Sequence, residues 1–301
     1  MPKPKIDINY AYQKAVSYSQ YSIYNQCQYQ WYLTYIKKQS SFKPSIYLIY
    51  GTAMHETIQT YLQTMYEKSG KAADELDIDK LLEERLVENY KLSLEENNKE
   101  HFTTKEELKE FLADGQATLD WFKKNRKKYF SIRNTELVGI EIPILLPVLE
   151  DIPNVLMNGS IDFIIYEKNT ESYTIYDIKT STKGWSEYEK KDQTKINQIL
   201  LYKRFYSKAM NIPEDKIDVK FFIVKRKVFQ NPDYPIYRVQ EFVPAHGKKK
   251  VDQAIESLSK FIRECFTSDA KYIKDREYPK NLNSCKFCPY TNKPDLCDKK
   301  V

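Results

Sequence analysis

Apolar residues recur every three or four positions over much of the chain, a spacing that is typical of amphipathic helices. The segments with this spacing are residues 17–35, 190–210 and 248–266. Another helix is predicted to begin at Gly51, which places His55 in its first turn. Residues 77–128 are highly charged but keep the same spacing, and we expect a helical elaboration over residues 70–132.

Other segments have a strand pattern, because they are rich in Ile, Val, Leu and Tyr and lie between turn residues. They are residues 135–149, 155–166, 173–178, 217–224 and 234–242. Strands that alternate with helices predict an α/β layered core. The chain shows no internal repeat and no low-complexity linker. We therefore expect a single domain over residues 1–301, with an irregular cysteine-rich segment at residues 279–301.

The composition favours a compact protein that works inside a cell. Hydrophobic residues make up 41% of the chain and aromatic residues 14%, which is enough apolar surface to offset chain entropy. No run approaches the roughly 18 apolar residues of a membrane span, and the first residues lack the apolar segment of a signal peptide. We expect a soluble cytoplasmic protein, located in the host cytoplasm if a phage encodes it. The net charge of +6 suits a phosphate-rich partner, but ordinary solvated lysines explain it equally well.

Charged side chains interrupt two of the predicted strands. Asp177 and Lys179 flank Ile178, and the period of two in a strand places both side chains on one face. Asp162 ends the run Asn158-Gly-Ser-Ile-Asp162 on the preceding strand. Phosphodiester hydrolysis needs divalent cations held by hard oxygen ligands, beside a group that acts on the attacking water. These residue types predict a site for metal-dependent hydrolysis.

An acid-x-Lys triplet is a weak pattern by itself, because it also occurs at residues 107–109 and 218–220, where solvated positions explain it. Only Asp177-Ile-Lys179 follows an apolar strand next to a second strand that carries an aspartate. Only this triplet is followed by a helix with Gln198-x-x-x-Tyr202. Charged residues within apolar strands usually have partners or a function.

Each candidate alone has a simpler interpretation. His55 would more often be a surface or core histidine than a ligand, and Asp162 would cap a turn. Gln198 and Tyr202 would be neighbours on one helix face. The ordered set of residues is what favours a functional site.

Four motifs follow one another along the chain, and they are Gly51-x-x-x-His55, Gly159-Ser-Ile-Asp162, Asp177-Ile-Lys179-Thr180 and Gln198-x-x-x-Tyr202. In this series the chain resembles the PD-(D/E)XK nuclease superfamily, and within it the RecB/AddB-like nuclease domains and the CRISPR-associated and phage exonucleases. The resemblance covers about residues 17–297. It implies a restriction-endonuclease-like core, in which helices flank a central mixed β-sheet. It also implies a DNA nuclease, and more narrowly an exonuclease, in recombination, repair or phage DNA processing.

The resemblance also implies a role for each candidate. The implied ligands of Mg²⁺ or Mn²⁺ are His55, Asp162, Asp177 and the carbonyl of Ile178. Lys179 would position or help deprotonate the attacking water and stabilise the transition-state charge. Gln198 and Tyr202 would orient the DNA or the lysine, and Glu141 would be a further acid outside the ligand set.

The cysteines predict a second metal site. Three lie together near the C-terminal end and a fourth lies near the N-terminal end, and these are Cys285, Cys288, Cys297 and Cys27. Four thiolates suit either a [4Fe–4S] cluster or tetrahedral zinc, and reduced free cysteines are a third interpretation. The resemblance favours the iron–sulfur cluster. Cys265 lies in a predicted amphipathic helix and is expected to pack as a small apolar residue.

Other functions stay open at this level. The fold would also suit a catalytically inactive DNA-binding subunit of a recombination or helicase complex, or a zinc-stapled interaction protein. The sequence contains no G-x-x-x-x-G-K-[ST] loop, so an ATP-driven motor would be a separate partner. Self-association is also left open. The many tyrosines of residues 17–35 would stack on the bases of single-stranded DNA, or else reflect a Tyr- and Lys-rich composition.

Overall fold

The centre of the protein is a mixed β-sheet. The computed structural model describes residues 12–39, 43–229 and 235–298. Its strands are β1 (Lys14–Ser17), β2 (Thr135–Pro147), β3 (Val155–Glu167), β4 (Ser172–Ser181), β5 (Ile217–Lys225) and β6 (Val239–Phe242). They follow the order β1-β3-β4-β5-β6, and β2 pairs with β3. The β1–β3 and β4–β5 pairs are parallel, whereas the other pairs are antiparallel.

Helices cover both faces of this sheet. They are α1 (Tyr18–Gln26), α2 (Gln28–Trp31), α3 (Ile46–Glu67), α4 (Gly70–Asp74), α5 (Ile78–Glu96), α6 (Lys105–Asn125), α7 (Gln193–Met210) and α8 (Lys248–Cys265). A π-helical turn, Tyr32–Ile36, continues α2. Across the described ranges, no helix is both long and apolar enough to cross a bilayer.

The sheet separates two apolar cores, and strand β5 contributes to both. Phe221 and Ile223 point into the core that α1, α7 and α8 complete, whereas Phe222 and Val224 point into the core beneath α3, α5 and α6. Both faces of β5 are therefore buried, which explains why its sequence is an apolar run instead of an alternating one. Helix α7 connects the parallel strands β4 and β5. The predicted α/β class, with a central mixed sheet flanked by helices, is confirmed.

The N-terminal segment differs from the single helix predicted over residues 17–35. Helix α1 ends at Gln26, and Cys27 has an extended backbone with φ −159° and ψ 114°. The chain cannot continue as one helix here, because the Tyr29 amide donates to the carbonyl of Pro279 at 3.1 Å instead of to the preceding helical turn. The partner of Tyr29 at this interruption belongs to the C-terminal segment, and the spacing of nearby apolar residues cannot predict such a contact.

The prediction that His55 lies in the first turn of a helix is also wrong. Helix α3 begins at Ile46, after Ser45 caps its N-terminus by accepting from the Leu48 amide, so His55 lies in the third turn. Gly51 lies inside the helix, where a Cβ would meet Thr180 Oγ1 at 3.1 Å. That glycine permits close packing of α3 on β4 and does not mark a break.

The remaining differences concern short strands. The strand predicted over 234–242 corresponds to β6, which begins at Val239, while Tyr234 lies outside the described residues. Strand β1 has four residues, which is too short to show a periodic pattern.

Candidate active site

The Asp177–Lys179 pair lies near the C-terminal end of β4, with both side chains on the face that α7 covers. Lys179 Nζ lies 2.8 Å from Asp177 Oδ2 and donates to Gln198 Oε1 at 2.9 Å. Gln198 Nε2 in turn donates to the hydroxyl of Tyr202 at 3.2 Å. Gln198 and Tyr202 are one helical turn apart on α7, so the helix presents both to the strand. The structure therefore brings together four of the predicted residues through one ion pair and two hydrogen bonds.

Gly159 on β3 makes room for this chain. A Cβ at this position would lie 2.9 Å from Cε1 of the Tyr202 ring. Tyr202 keeps only 5% of its surface exposed, so the ring has little space to move away. A residue without a side chain is thus required where β3 passes beneath α7. The glycine of the Gly159-Ser-Ile-Asp162 motif therefore allows the Tyr202 ring to pack directly against the backbone of β3.

His55 and Asp162 lie beside this pair. His55 Nδ1 lies 3.8 Å from Asp162 Oδ2, and the same Asp162 oxygen accepts a hydrogen bond of 2.5 Å from the Ile178 amide. The side chains of His55 and Asp162 keep 26% and 15% of their surface exposed, so solvent reaches the site. All four predicted metal-ligand positions are therefore neighbours, since Asp177 directly precedes Ile178.

Burial and nearby charges shift the pKa values of these groups. Burial raises the pKa of Asp162 well above its ordinary value, and the nearby Asp177 carboxylate raises it further. The pKa of Asp177 is also raised by burial, against the opposing effect of the Lys179 ammonium. Burial and Lys179 lower the pKa of His55 to about 3, so its imidazole is neutral at pH 7 and its contact with Asp162 is not an ion pair.

Two further residues complete the site from the side of β2. Glu141 lies opposite Asp162 in the β2–β3 register and has a left-handed backbone, with φ +48°. Its carboxylate accepts from Gln59 Nε2 and from Ser160 Oγ, both at 2.6 Å. Gln59 Nε2 also approaches the Asp162 carbonyl at 3.2 Å. The sequence analysis missed Gln59, although its position one helical turn after His55 placed it on the same face.

The donor set suits a hard divalent cation, since it offers carboxylates, a carbonyl and a neutral imidazole. The Asp162 carboxylate, whose pKa is raised by burial and by Asp177, would also gain from a nearby positive charge. The oxygens of both aspartates are nevertheless engaged locally, with Lys179 and with the Ile178 amide. Among residues 12–39, 43–229 and 235–298, no group of three or more His, Cys, Asp or Glu side chains converges closely enough to hold a metal ion.

The four predicted cysteine ligands share one small cavity, which is lined by Cys27, Cys285, Cys288 and Cys297. All four are free thiols and half-buried. Burial raises the pKa of Cys288 and of Cys297, and the neighbouring thiols contribute to both shifts. Cys265 is separate and fully buried in the core, where it was predicted to pack.

The acid-x-Lys triplet at residues 218–220 and the tyrosines of α1 lie outside the candidate active site. The Asp218 side chain on β5 is 58% exposed, and Lys220 pairs with Glu241 at 2.9 Å. Tyr21 and Tyr24 of α1 are buried in the core, so they are not available to stack on nucleic-acid bases.

Comparisons with known proteins identify the family and a protein of similar fold. The sequence model of the PD-(D/E)XK nuclease superfamily matches residues 15–293. No curated protein sequence matches the chain. Among solved structures, a "Putative exonuclease" from Eubacterium rectale superposes with a TM-score of 0.55 at 12% sequence identity, covering 97% of this chain and 92% of that one. Because the family match spans nearly the whole chain, the chain belongs to the PD-(D/E)XK nuclease superfamily.

Proposed function

We propose that the protein is a divalent-metal-dependent deoxyribonuclease that hydrolyses phosphodiester bonds. The observation that carries this proposal is the position of the Lys179 ammonium. It lies between the Asp177 carboxylate and the Gln198 amide, and its charge acts on the Asp162 carboxylate. A lysine held near two acids is suited to act on a water and a phosphate at once.

In this proposal the metal is held by the residues that surround Ile178. His55, Asp162 and Asp177 would hold Mg²⁺ or Mn²⁺, with the Ile178 carbonyl as a further ligand. A bound cation of this kind neutralises phosphate charge and lowers the pKa of water. The neutral imidazole of His55 keeps a lone pair available for ligation.

The other side chains of the site position the reacting groups. Lys179 orients the attacking water and stabilises the negative charge that develops on the phosphate. Gln198 fixes the lysine by accepting its hydrogen bond, and Tyr202 fixes Gln198. Glu141 orients Gln59, whose amide holds the backbone of Asp162.

The test compares cleavage by wild type, Asp177→Asn and Lys179→Ala. The substrates are end-labelled single- and double-stranded DNA in Mg²⁺ or Mn²⁺, with anaerobically purified protein. Asp218→Asn and Lys220→Ala are matched controls, because they change an acid-x-Lys triplet on the neighbouring strand. We expect the first pair to abolish cleavage and the second pair to retain it. A wild-type protein that binds DNA but cleaves neither substrate would instead support an inactive DNA-binding subunit.

An exonuclease is the narrower form of this proposal, and the similar fold of the Eubacterium rectale protein supports it. Circular single-stranded DNA should then resist cleavage, while linear DNA of the same sequence is degraded from an end. Degradation of circles would make the protein an endonuclease. A role in recombination, repair or phage DNA processing, with a separate helicase as partner, would fit an end-dependent activity.

We further propose that the four cysteines around the cavity hold a [4Fe–4S] cluster, with zinc as the alternative. The support is that all four line a single cavity although they are far apart in sequence. Iron, sulfide and zinc analysis of anaerobic protein distinguishes the two, and visible absorbance reports the cluster. Cys285→Ala should lose the metal, whereas Cys265→Ala should keep it. In this scheme residues 279–301 form a metal-bound segment of one domain, and residues 70–132 form its helical elaboration.

A further inference from the structure

A groove separate from the candidate active site opens beyond the C-terminal ends of β4 and β5. It has a volume of about 470 Å³, and the residues lining it include Lys183, Lys225, Lys227, Phe229 and Tyr237. Because β4 also carries Asp177 and Lys179, the groove lies on the continuation of the strand that forms the candidate active site. None of the roles proposed above uses these side chains.

Lys225 is placed on the same face as the candidate catalytic pair. In the parallel β4–β5 register, Lys179 is opposite Ile223 and Ser181 is opposite Lys225. The strand period of two therefore points Lys225 to the side of the sheet that Lys179 faces. The two register positions are separated by two residues, which is roughly 7 Å along the sheet. Lys225 thus lies two residues beyond the register position of Lys179, on the same face of the sheet.

The Lys225 ammonium has no anion of its own in the described part of the chain, where its Nζ forms no hydrogen bond or ion pair. The side chain is half-buried and packs closely on Gly184, where an added Cβ would lie only 3.2 Å from the Lys225 Cε. Desolvation lowers its pKa. Neighbouring Lys227 differs, since it pairs with Glu110 at 2.8 Å and with Asp114 at 2.9 Å. An unpaired, partly desolvated cation is stabilised by an incoming anion.

Two aromatic rings line the same groove as this cation. Phe229 is 87% exposed and Tyr237 is 45% exposed, so solvent and ligands can reach both rings. The Lys128 ammonium lies 4.3 Å from the centre of the Tyr237 ring and adds a further cation to the surface. Cations that alternate with exposed rings are the combination that binds the phosphates and bases of a single strand.

We propose that this groove binds the single-stranded segment of the nucleic acid next to the bond that is cut. Lys225 and Lys183 contact its phosphates, and Tyr237 and Phe229 stack on its bases. The proposal rests on the nuclease function argued above, because it treats the groove as an extension of that site.

Binding is measured first, so that the outcome does not depend on catalysis. Fluorescence anisotropy of a labelled single-stranded oligonucleotide is followed against salt concentration in the Asp177→Asn background. Adding Lys225→Gln should weaken binding and reduce the slope of log K against log salt by about 0.7, the value for one phosphate contact on a single strand. Tyr237→Ala should weaken binding on the order of 10-fold with an unchanged slope. Lys208→Gln, an exposed lysine near the C-terminal end of α7, is the matched control and should leave both quantities unchanged.

Cleavage then separates this proposal from the proposed function. In otherwise wild-type protein, Lys225→Gln should raise KM for a long oligonucleotide, whereas Lys208→Gln should leave that KM unchanged. If the protein cleaves DNA but Lys225→Gln behaves like Lys208→Gln in both assays, the groove proposal is wrong and the nuclease stands. If binding depends on Lys225 while wild type cleaves nothing, the groove stands and the nuclease fails. Thermal unfolding checks that each variant is folded.

Discussion

Replacing Gly159 with alanine tests whether Tyr202 and Gln198 act through Lys179. The new Cβ would lie 2.9 Å from the Tyr202 ring, so the ring must retreat by roughly 0.6 Å to reach a normal carbon–carbon separation of about 3.5 Å. The retreat displaces the Tyr202 hydroxyl, which accepts from Gln198, and Gln198 in turn holds the Lys179 ammonium. None of the implied metal ligands is altered by this substitution.

The size of the effect follows from that displacement. A misplacement of about 1 Å at a reacting group costs on the order of 10²-fold in rate. A shift of roughly half that size should lower kcat about 10-fold, which is about 1.4 kcal/mol in activation free energy. Overpacking should also lower the free energy of unfolding by about 1–3 kcal/mol. Steady-state cleavage at saturating metal, measured well below the unfolding midpoint, separates the two effects.

A double-mutant cycle with Gln198→Ala decides the mechanism. If Gly159→Ala acts through Gln198, it should cause no further loss of kcat in a Gln198→Ala background. The reasoning is refuted if the two losses multiply, or if Gly159→Ala lowers stability while kcat stays at the wild-type value. Gly247→Ala is the spatial control, because nothing lies within 4 Å of a Cβ at that position.

Three further predictions concern stability and pH. Gly115→Ala places a Cβ 2.6 Å from Leu82 Cδ2, so urea denaturation should show a loss of about 1–3 kcal/mol, and an unchanged midpoint would contradict the packing described. Phe122→Ala, which empties a core site that is 2% exposed, should cost about 3–5 kcal/mol, whereas Val87→Ala at an exposed site should change stability by less than about 0.5 kcal/mol. Because the pKa of Asp162 is raised, protons compete with the cation for this carboxylate, and the Mg²⁺ concentration for half-maximal cleavage should rise as the pH falls. A metal requirement that is constant from alkaline to mildly acidic pH would argue against Asp162 as a ligand.

The sequence predicted the parts of the fold that depend on long periodic segments. Strands β2 to β5 and helices α7 and α8 were found because their apolar runs or repeats extend over nine or more residues. It also identified the residues that lie around Asp177 and Lys179 in the structure, since each of them belongs to a helix or strand with a recognisable pattern of apolar residues. Their roles in catalysis remain predictions.

What the sequence could not predict depends on contacts between distant segments. The break at Cys27 is imposed by Pro279, and the left-handed backbone of Glu141 becomes meaningful only when Gln59 and Ser160 face it. Gly51 was interpreted as a helix start because a glycine that permits close packing resembles one that ends a turn. Rules based on neighbouring residues cannot predict these features, because the atoms that determine them belong to other helices, strands or segments.

The contact between the two ends of the described chain has a consequence for how the protein is made. Asn281 donates from its side chain to the Gln26 carbonyl at 2.8 Å, across 255 positions of sequence. Ser284 Oγ donates to the same carbonyl. The segment around Cys27 is therefore translated before its partners, which follow 255 positions later, and it can dock only after they have been made. Such a long loop closes slowly, and we expect the docking of the cysteine-rich segment to be the last step of folding, after both cores have formed.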